Sequence, residues 1–217
     1  MKPRCTNQSS HALTLVEVVV VVVVLCTIAA LLLPILAKPK RHGGINCVNN
    51  VKEIAIASRV WAGDNNDKYP FEISVTNGGT MELNNGRNAW LNFLVMSNEI
   101  SSPKYLICPQ DTKDQPAATN FSWRLAGHVS YFVGLDAKNG NPQTILSGDD
   151  NFETSGVPIA SSLLDVSSTT PIGWTTARHN HRGNILLADA SVESFNNSGL
   201  TNWLHQTGPV TNRLAIP

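Results

Sequence analysis

The run from Leu13 to Leu36 constrains this chain more than any other feature. It holds 24 residues, of which only Thr14, Glu17 and Thr27 are polar. That length suffices to cross roughly 30 Å of hydrocarbon as a helix. It also exceeds the roughly 7–15-residue apolar core of an ordinary cleaved signal peptide. The valines Val18–Val24 are poor helix formers in water. In lipid the backbone must bond to itself, so a helix is the state available there. The run therefore predicts one transmembrane helix over residues 13–36. Pro34 lies late in it and removes a backbone donor, which predicts a kink. Glu17 is the anomaly. A carboxylate near the bilayer centre costs about 2.5 kcal/mol or more, so Glu17 needs either a cationic partner or a reach to the headgroups.

The remainder is rich in Asn, Ser, Thr and Gly. Charged residues make up 15% of the chain and the formal net charge is zero. Nothing here suggests a nucleic-acid partner. Of the four cysteines, Cys5 precedes the apolar run, Cys26 lies inside it, and Cys47 and Cys108 belong to the polar part. Their spacings match no zinc pattern. In an exported domain Cys47 and Cys108 form either one disulfide or two separate half-buried thiols; the Cα separation that decides is not written in the sequence.

Between Ile45 and Pro70, Val48, Val51, Ile54, Ala55, Ser58 and Trp61 recur at spacings of three and four. This is one apolar face of a helix, with Asn46 as its N-cap and Gly63 followed by Asp64 as its stop. Its stripe should cover a sheet. The C-terminal part reads as β. Gly183–Phe195 holds two apolar runs around Asp189-Ala190-Ser191, a hairpin signature. Ala190 suits a tight type I′ turn poorly, so a three-residue loop or a type I turn with a bulge is expected. Val129–Asp136 is a further strand candidate, while residues 77–88 and 109–120 read as loops.

Several of these stretches resemble one family. "ALTLVEV", behind a short polar leader with basic residues, is similar to the class III signal of type IV pilin-like proteins. "CVNNVKEIAIASRVWAGDNNDKYP", "YLICPQD", "SYFVGLD" and a His-x9-Asp motif from His179 to Asp189 resemble a large bacterial group of pilin-like proteins related to the pseudopilins of type II secretion. Ala190 stands where that group usually has Gly.

The resemblance implies a great deal. A prepilin peptidase would cut between Ala12 and Leu13, removing residues 1–12 as a leader. Ala12 replaces the usual Gly of that site and Leu13 the usual Phe. Glu17 would pair with the amino terminus of Leu13 in a neighbouring copy, and the helix would melt locally at Pro34. The fold expected is α+β: a long N-terminal helix, transmembrane over 13–36 and amphipathic over 37–64, packed on an antiparallel sheet with long loops in 65–217. The location expected is a single pass of the inner membrane with a periplasmic C-terminal domain, although the flanking charges alone would keep that side cytoplasmic. The function expected is a structural subunit of a type II secretion pseudopilus or type IV pilus-like fibre. Its partners would be further copies, other pseudopilins, the inner-membrane assembly platform and the peptidase. The alternative is a tethered module that binds a glycan or an exported substrate, with five tryptophans as a potential aromatic surface.

Two clusters have chemistry worth weighing. Asp149, Asp150, Asn151 and Glu153 place hard oxygen donors close together, which suits calcium; a solvated acidic turn is the plainer reading. His179 and His181 would share a strand face and, with Asp189 or His205, could in principle hold zinc. The plainer role for His179 is orienting the hairpin that carries Asp189, with Arg178 and Arg182 solvated. No nucleophile–base pair, GxSxG, HExxH or P-loop occurs, so no enzymatic activity is expected.

Overall fold

The computed structural model describes residues 15–36, 43–111, 116–160, 162–207 and 211–217, with side chains described for 15–28 and from 45 onward within those ranges. The chain divides into two compact units, residues 1–41 and 42–217.

The first unit contains helix α1 (Leu15–Leu36), which continues through Pro34. Its described side chains end at Ile28 and are exposed throughout. Among the described residues no helix is long and apolar enough to cross a membrane. This overturns the transmembrane assignment of 13–36 and, with it, the single-pass inner-membrane location. The described apolar stretch, Leu15–Ile28, is 14 residues long. At about 1.5 Å per residue it reaches about 21 Å, short of the roughly 30 Å a bilayer core requires.

The second unit opens with α2 (Gly43–Asp64), three residues ahead of the expected N-cap Asn46. Cys47, Val51, Ile54, Ala55, Ala57, Ser58 and Ala62 are buried, while Lys52, Ile56, Arg59 and Val60 face out. The helix stops at Asp64, and Asn66 and Asp67 follow with positive φ. The Asp67 amide donates to the Ala62 carbonyl at 2.8 Å, satisfying one of the helix's terminal acceptors. Short 3₁₀ turns and α3 (Ala89–Val95) then lead to the sheets.

Among the described residues nine strands follow: β1 (Tyr131–Gly134), β2 (Ile145–Asp149), β3 (Phe152–Thr154), β4 (Val157–Pro158), β5 (Ser162–Val166), β6 (Ile172–Trp174), β7 (Arg182–Leu187), β8 (Val192–Asn196) and, after α4 (Asn197–Gln206), β9 (Asn212–Ile216). Six form an antiparallel sheet in the order β5-β9-β1-β2-β7-β8; three form a second, β4-β3-β6. The expected fold, one long two-part N-terminal helix packed on an antiparallel sheet, is therefore corrected. α1 lies in a separate unit, and the larger unit is built on two antiparallel sheets.

The physical reason the strands were hard to read lies in the core. Along the central strands, alternate residues enter two different apolar clusters. Tyr131 and Val133 join one and Phe132 the other; Leu186 joins one, Ile185 and Leu187 the other; Ala215 joins one, Leu214 and Ile216 the other. α2, Phe93 and Leu106 contribute to the first cluster, and β3, β6 and α4 to the second. A strand buried on both faces shows a continuous apolar run rather than alternation. In the second cluster Phe152 stacks on Trp174 with ring centroids 4.4 Å apart. A side chain on Gly183 would meet the Trp174 ring at 2.4 Å, so that position must stay small.

The β7–β8 hairpin closes through Ala188-Asp189-Ala190. The Ala190 amide donates to the Leu187 carbonyl at 3.0 Å, the Leu187 amide donates to the Ser191 carbonyl at 3.0 Å, and Ala190 itself has φ 72. This is a type I turn followed by a left-handed bulge residue, which accommodates Ala where a type I′ turn would want Gly.

Candidate functional site

Cys47 and Cys108 are joined in a disulfide with Cα atoms 5.2 Å apart. It ties the first turn of α2 to the loop that follows the 3₁₀ turn Pro103–Leu106. Both cysteines are buried. A second bond reinforces the junction: the Asn50 side-chain amide donates to the Ile107 carbonyl at 2.8 Å.

A turn of unusual hand lies against this disulfide. His179, Asn180 and His181 have φ of 55, 50 and 59. Left-handed backbone costs a residue with a Cβ roughly 1–2 kcal/mol, so three in succession persist only where their surroundings hold them. Asn151 supplies that hold. Its side-chain amide donates to the carbonyls of Arg178 and Arg182, at 3.3 and 3.5 Å, on either side of the turn. The His181 amide donates to the Thr175 carbonyl at 3.2 Å. As a result the ring of His179 points inward, its Nε2 3.2 Å from Cys108 Sγ and 3.8 Å from Asp149 Oδ2.

Arg178 is the hub of the polar network, correcting its expected place in solvent. Its side chain is 3% exposed, and Nη2 lies 2.8 Å from Asp111 Oδ2 and 2.6 Å from Asp150 Oδ1. Nη1 donates to the Ser130 carbonyl at 2.9 Å, and the Ser130 hydroxyl donates to Asp111 Oδ2 at 2.6 Å. Arg182, by contrast, is exposed as expected. Burial works against the Arg178 charge, but Asp150, Asp111 and Asp149 outweigh it and hold its pKa above the ordinary value. Burial, with Arg178 beside it, pushes His179 down. Burial also pushes the Tyr131 phenol up.

Asp149 is fully buried at the end of β2. Its Oδ2 accepts from the Asn184 backbone amide at 2.8 Å and from the Asn184 side chain at 2.7 Å, while Oδ1 has no hydrogen-bond partner. Burial pushes its carboxyl up to about 6, against the opposing pull of Arg178 and the Asn184 bonds. An acid whose pKa is raised by folding favours the folded state when protonated. Its contribution is therefore complete below the ordinary value of 3.8 and is lost as pH rises through about 6. His179, shifted down, acts in the opposite sense and loses its contribution as pH falls. Comparing wild type with Asp149→Asn isolates the carboxyl. Urea midpoints at pH 4, 5 and 7 should show wild type losing on the order of 1–3 kcal/mol relative to the variant as pH rises. Parallel pH profiles would contradict this.

The sequence-predicted residues are thus partly regrouped. Asp149, Asp150 and Asn151 are buried and turned toward the His179 turn, while Glu153 lies half-buried on β3. Among the described residues, the metal-type donors that converge are Cys47, Cys108, Asp149 and His179, rather than the acidic run. His179 and Asp189 do not meet. Asp189 is exposed in the hairpin turn, where Oδ1 accepts from the Ser191 amide at 2.8 Å and its carbonyl accepts from Arg59 of α2 at 3.1 Å. Glu17 sits exposed in the first turn of α1, where the helix dipole favours a carboxylate. Ala12 and Leu13 lie outside the described residues, and of the Pro34 side chain nothing is described. The five tryptophans are dispersed. Trp174 is buried, Trp61 and Trp90 pack on one core cluster and Trp203 on the other, and Trp123 is 73% exposed.

Sequence reasoning missed Arg178, Asp111, Ser130 and Asn184. No spacing could have found them, since Asp111 and Arg178 stand 67 residues apart. Comparison of the chain with protein-family models, with curated proteins and with solved structures returned no match.

Proposed function

We propose that this chain is a structural subunit of a fibre of the pseudopilus or pilus kind, whose copies pack through α1. The observation that carries this reading is the surface of that helix. Leu15, Val16, Val18 through Val24, Leu25 and Ile28 are all about half exposed or more. Consecutive exposed apolar residues cover every side of a helix, and a helix apolar all round requires cover. The same helix from neighbouring copies provides it without any partner of different chemistry.

The similarity of "ALTLVEV" to the pilin-like signal supplies the rest. Prepilin peptidase cuts after Ala12, and the new amino terminus at Leu13 meets Glu17 of an adjacent copy. Other pseudopilins and an assembly platform complete the partners. The disulfide-linked unit is the body that the fibre displays. While the disulfide is intact, the sulfur 3.2 Å from His179 Nε2 is no nucleophile.

The test is to express the chain with prepilin peptidase and assembly machinery and to count fibres after shearing. Val21→Arg places a charge in the packing surface and should abolish fibres while leaving the far-UV and near-UV spectra of the folded unit unchanged. Glu17→Leu should do the same. Mass analysis of the wild-type subunit should find Leu13 at the amino terminus. Normal fibres from Val21→Arg, or an amino terminus still at Met1, would refute the reading.

A further inference from the structure

We propose that reduction of the Cys47–Cys108 disulfide opens a closed four-donor zinc site made of Cys47, Cys108, Asp149 and His179. One ligand atom from each of these residues lies within 4.8 Å of all the others. They come from four separate places: α2, the loop after Leu106, β2 and the left-handed turn. Two thiolates, an imidazole and a carboxylate are the donors that zinc takes in tetrahedral sites.

The spacing fits with little movement. Bonds of about 2.0–2.3 Å in a tetrahedron set neighbouring ligand atoms roughly 3.3–3.8 Å apart. His179 Nε2 already stands 3.2 Å from Cys108 Sγ and 3.8 Å from Asp149 Oδ2. The two sulfurs must separate, which side-chain rotation at Cα atoms 5.2 Å apart allows, and donor pairs nearer the 4.8 Å limit close in by similar rotations.

Two independent observations point to a ligand here. Asp149 Oδ2, the oxygen 3.8 Å from His179 Nε2, is fixed by the two Asn184 donors, while Oδ1 of the same buried carboxylate has no hydrogen-bond partner. A buried carboxylate held by outer-shell donors and still short of partners has coordination capacity left for a metal. The second is the turn itself. Three successive non-glycine residues are kept left-handed, and the effect is to aim one imidazole at the sulfurs.

The chemistry is a two-electron exchange followed by ligand substitution. A dithiol reductant gives two electrons and two protons to the S–S bond, leaving two thiols here and a disulfide on the reductant. Zinc binding then releases those two protons to solvent.

The experiment uses the full chain carrying Cys5→Ser and Cys26→Ser, so that only the two site cysteines remain. A phosphine reductant avoids competition for metal; it becomes the phosphine oxide, with water supplying the oxygen and the thiol protons. Cobalt(II) is added as a spectroscopic substitute for zinc and then displaced by zinc. The expected result is one cobalt per reduced chain, with thiolate-to-cobalt charge-transfer absorption and the visible bands of a tetrahedral ion. Cys108→Ser should abolish the charge-transfer signal. His179→Ala and Asp149→Asn should each weaken affinity by about tenfold or more. The oxidised chain should bind none. If reduction loosens the fold and zinc restores it, the proposal stands on that coupling. It is overturned if the reduced, folded chain binds no cobalt, if reduction unfolds the chain and zinc fails to restore it, if affinity is unchanged in His179→Ala and Asp149→Asn, or if the oxidised chain binds equally.

Discussion

Replacing Arg178 with Met should lower the unfolding free energy by about 3–5 kcal/mol, the loss typical when one partner of a buried ionic cluster is removed. The guanidinium is the cation that Asp111, Asp150 and Asp149 share inside the unit, and the Asp111 and Asp150 side chains are 8% and 1% exposed. Met fills similar volume but leaves three carboxyl groups without it. It also removes the donor to the Ser130 carbonyl. Asp149, already pushed up by burial, loses the cation that pulls it back. Repulsion between carboxylates and not lost volume sets the size of the effect, and a combined variant shows this. Arg178→Met with Asp111→Asn and Asp150→Asn should recover a large part of the loss, because neutral amides remove the uncompensated charge. Urea denaturation of the single and combined variants measures both. A single variant within 1 kcal/mol of wild type would show that the ion pairs contribute little beyond their own desolvation.

Cys47→Ala with Cys108→Ala should cost about 4 kcal/mol. The bridge closes a sequence separation of 61 residues, and chain-entropy treatment of a loop that long assigns about that stabilisation to restriction of the unfolded state. The closed loop contains most of α2, the 3₁₀ turns between Pro70 and Leu106, and α3, so the bridge acts on the side of the first core cluster where the regular structure is shortest. Thermal melting of oxidised wild type and the double variant measures the effect. A difference below 1 kcal/mol would mean that packing of Val51, Ile54 and Leu106 already confines this segment in the unfolded ensemble.

How much of this was legible depends on how far apart the cooperating residues stand. The buried stripe of α2 was readable because Val51, Ile54, Ala55 and Ser58 lie within two turns and their period survives folding. The hairpin at Asp189 was readable for the same reason, down to the bulge at Ala190. The sheets were mostly not. β2 is buried along its whole length, and β7 is buried at every position after Arg182, so neither displays the alternation that marks a half-buried strand. The apolarity of residues 13–36 was plain, yet the transmembrane expectation built on it fell. The site was the least legible part. Cys47, Cys108, Asp149 and Arg178 come from four regions, and Arg178 stands in "ARHNHRGN", whose local composition suggests a solvated turn. No glycine announced the left-handed run, because Asn151, a residue 27 positions away from Arg178, holds it.

The place of β9 has a consequence for synthesis. It follows the other eight strands in the chain, yet it lies inside the six-stranded sheet, between β5 and β1. Among the described residues β5 pairs in that sheet with β9, from Ser162 with Ile216 to Val166 with Asn212. A ribosome therefore releases β1 through β8 before the strand that joins β5 to the rest. Until residues 212–216 emerge, β1 presents an open edge flanked by apolar faces, the type of surface that pairs with the wrong chain. Folding of this unit is by its topology a late event, with closure dependent on long-range contacts, the slowest kind to form.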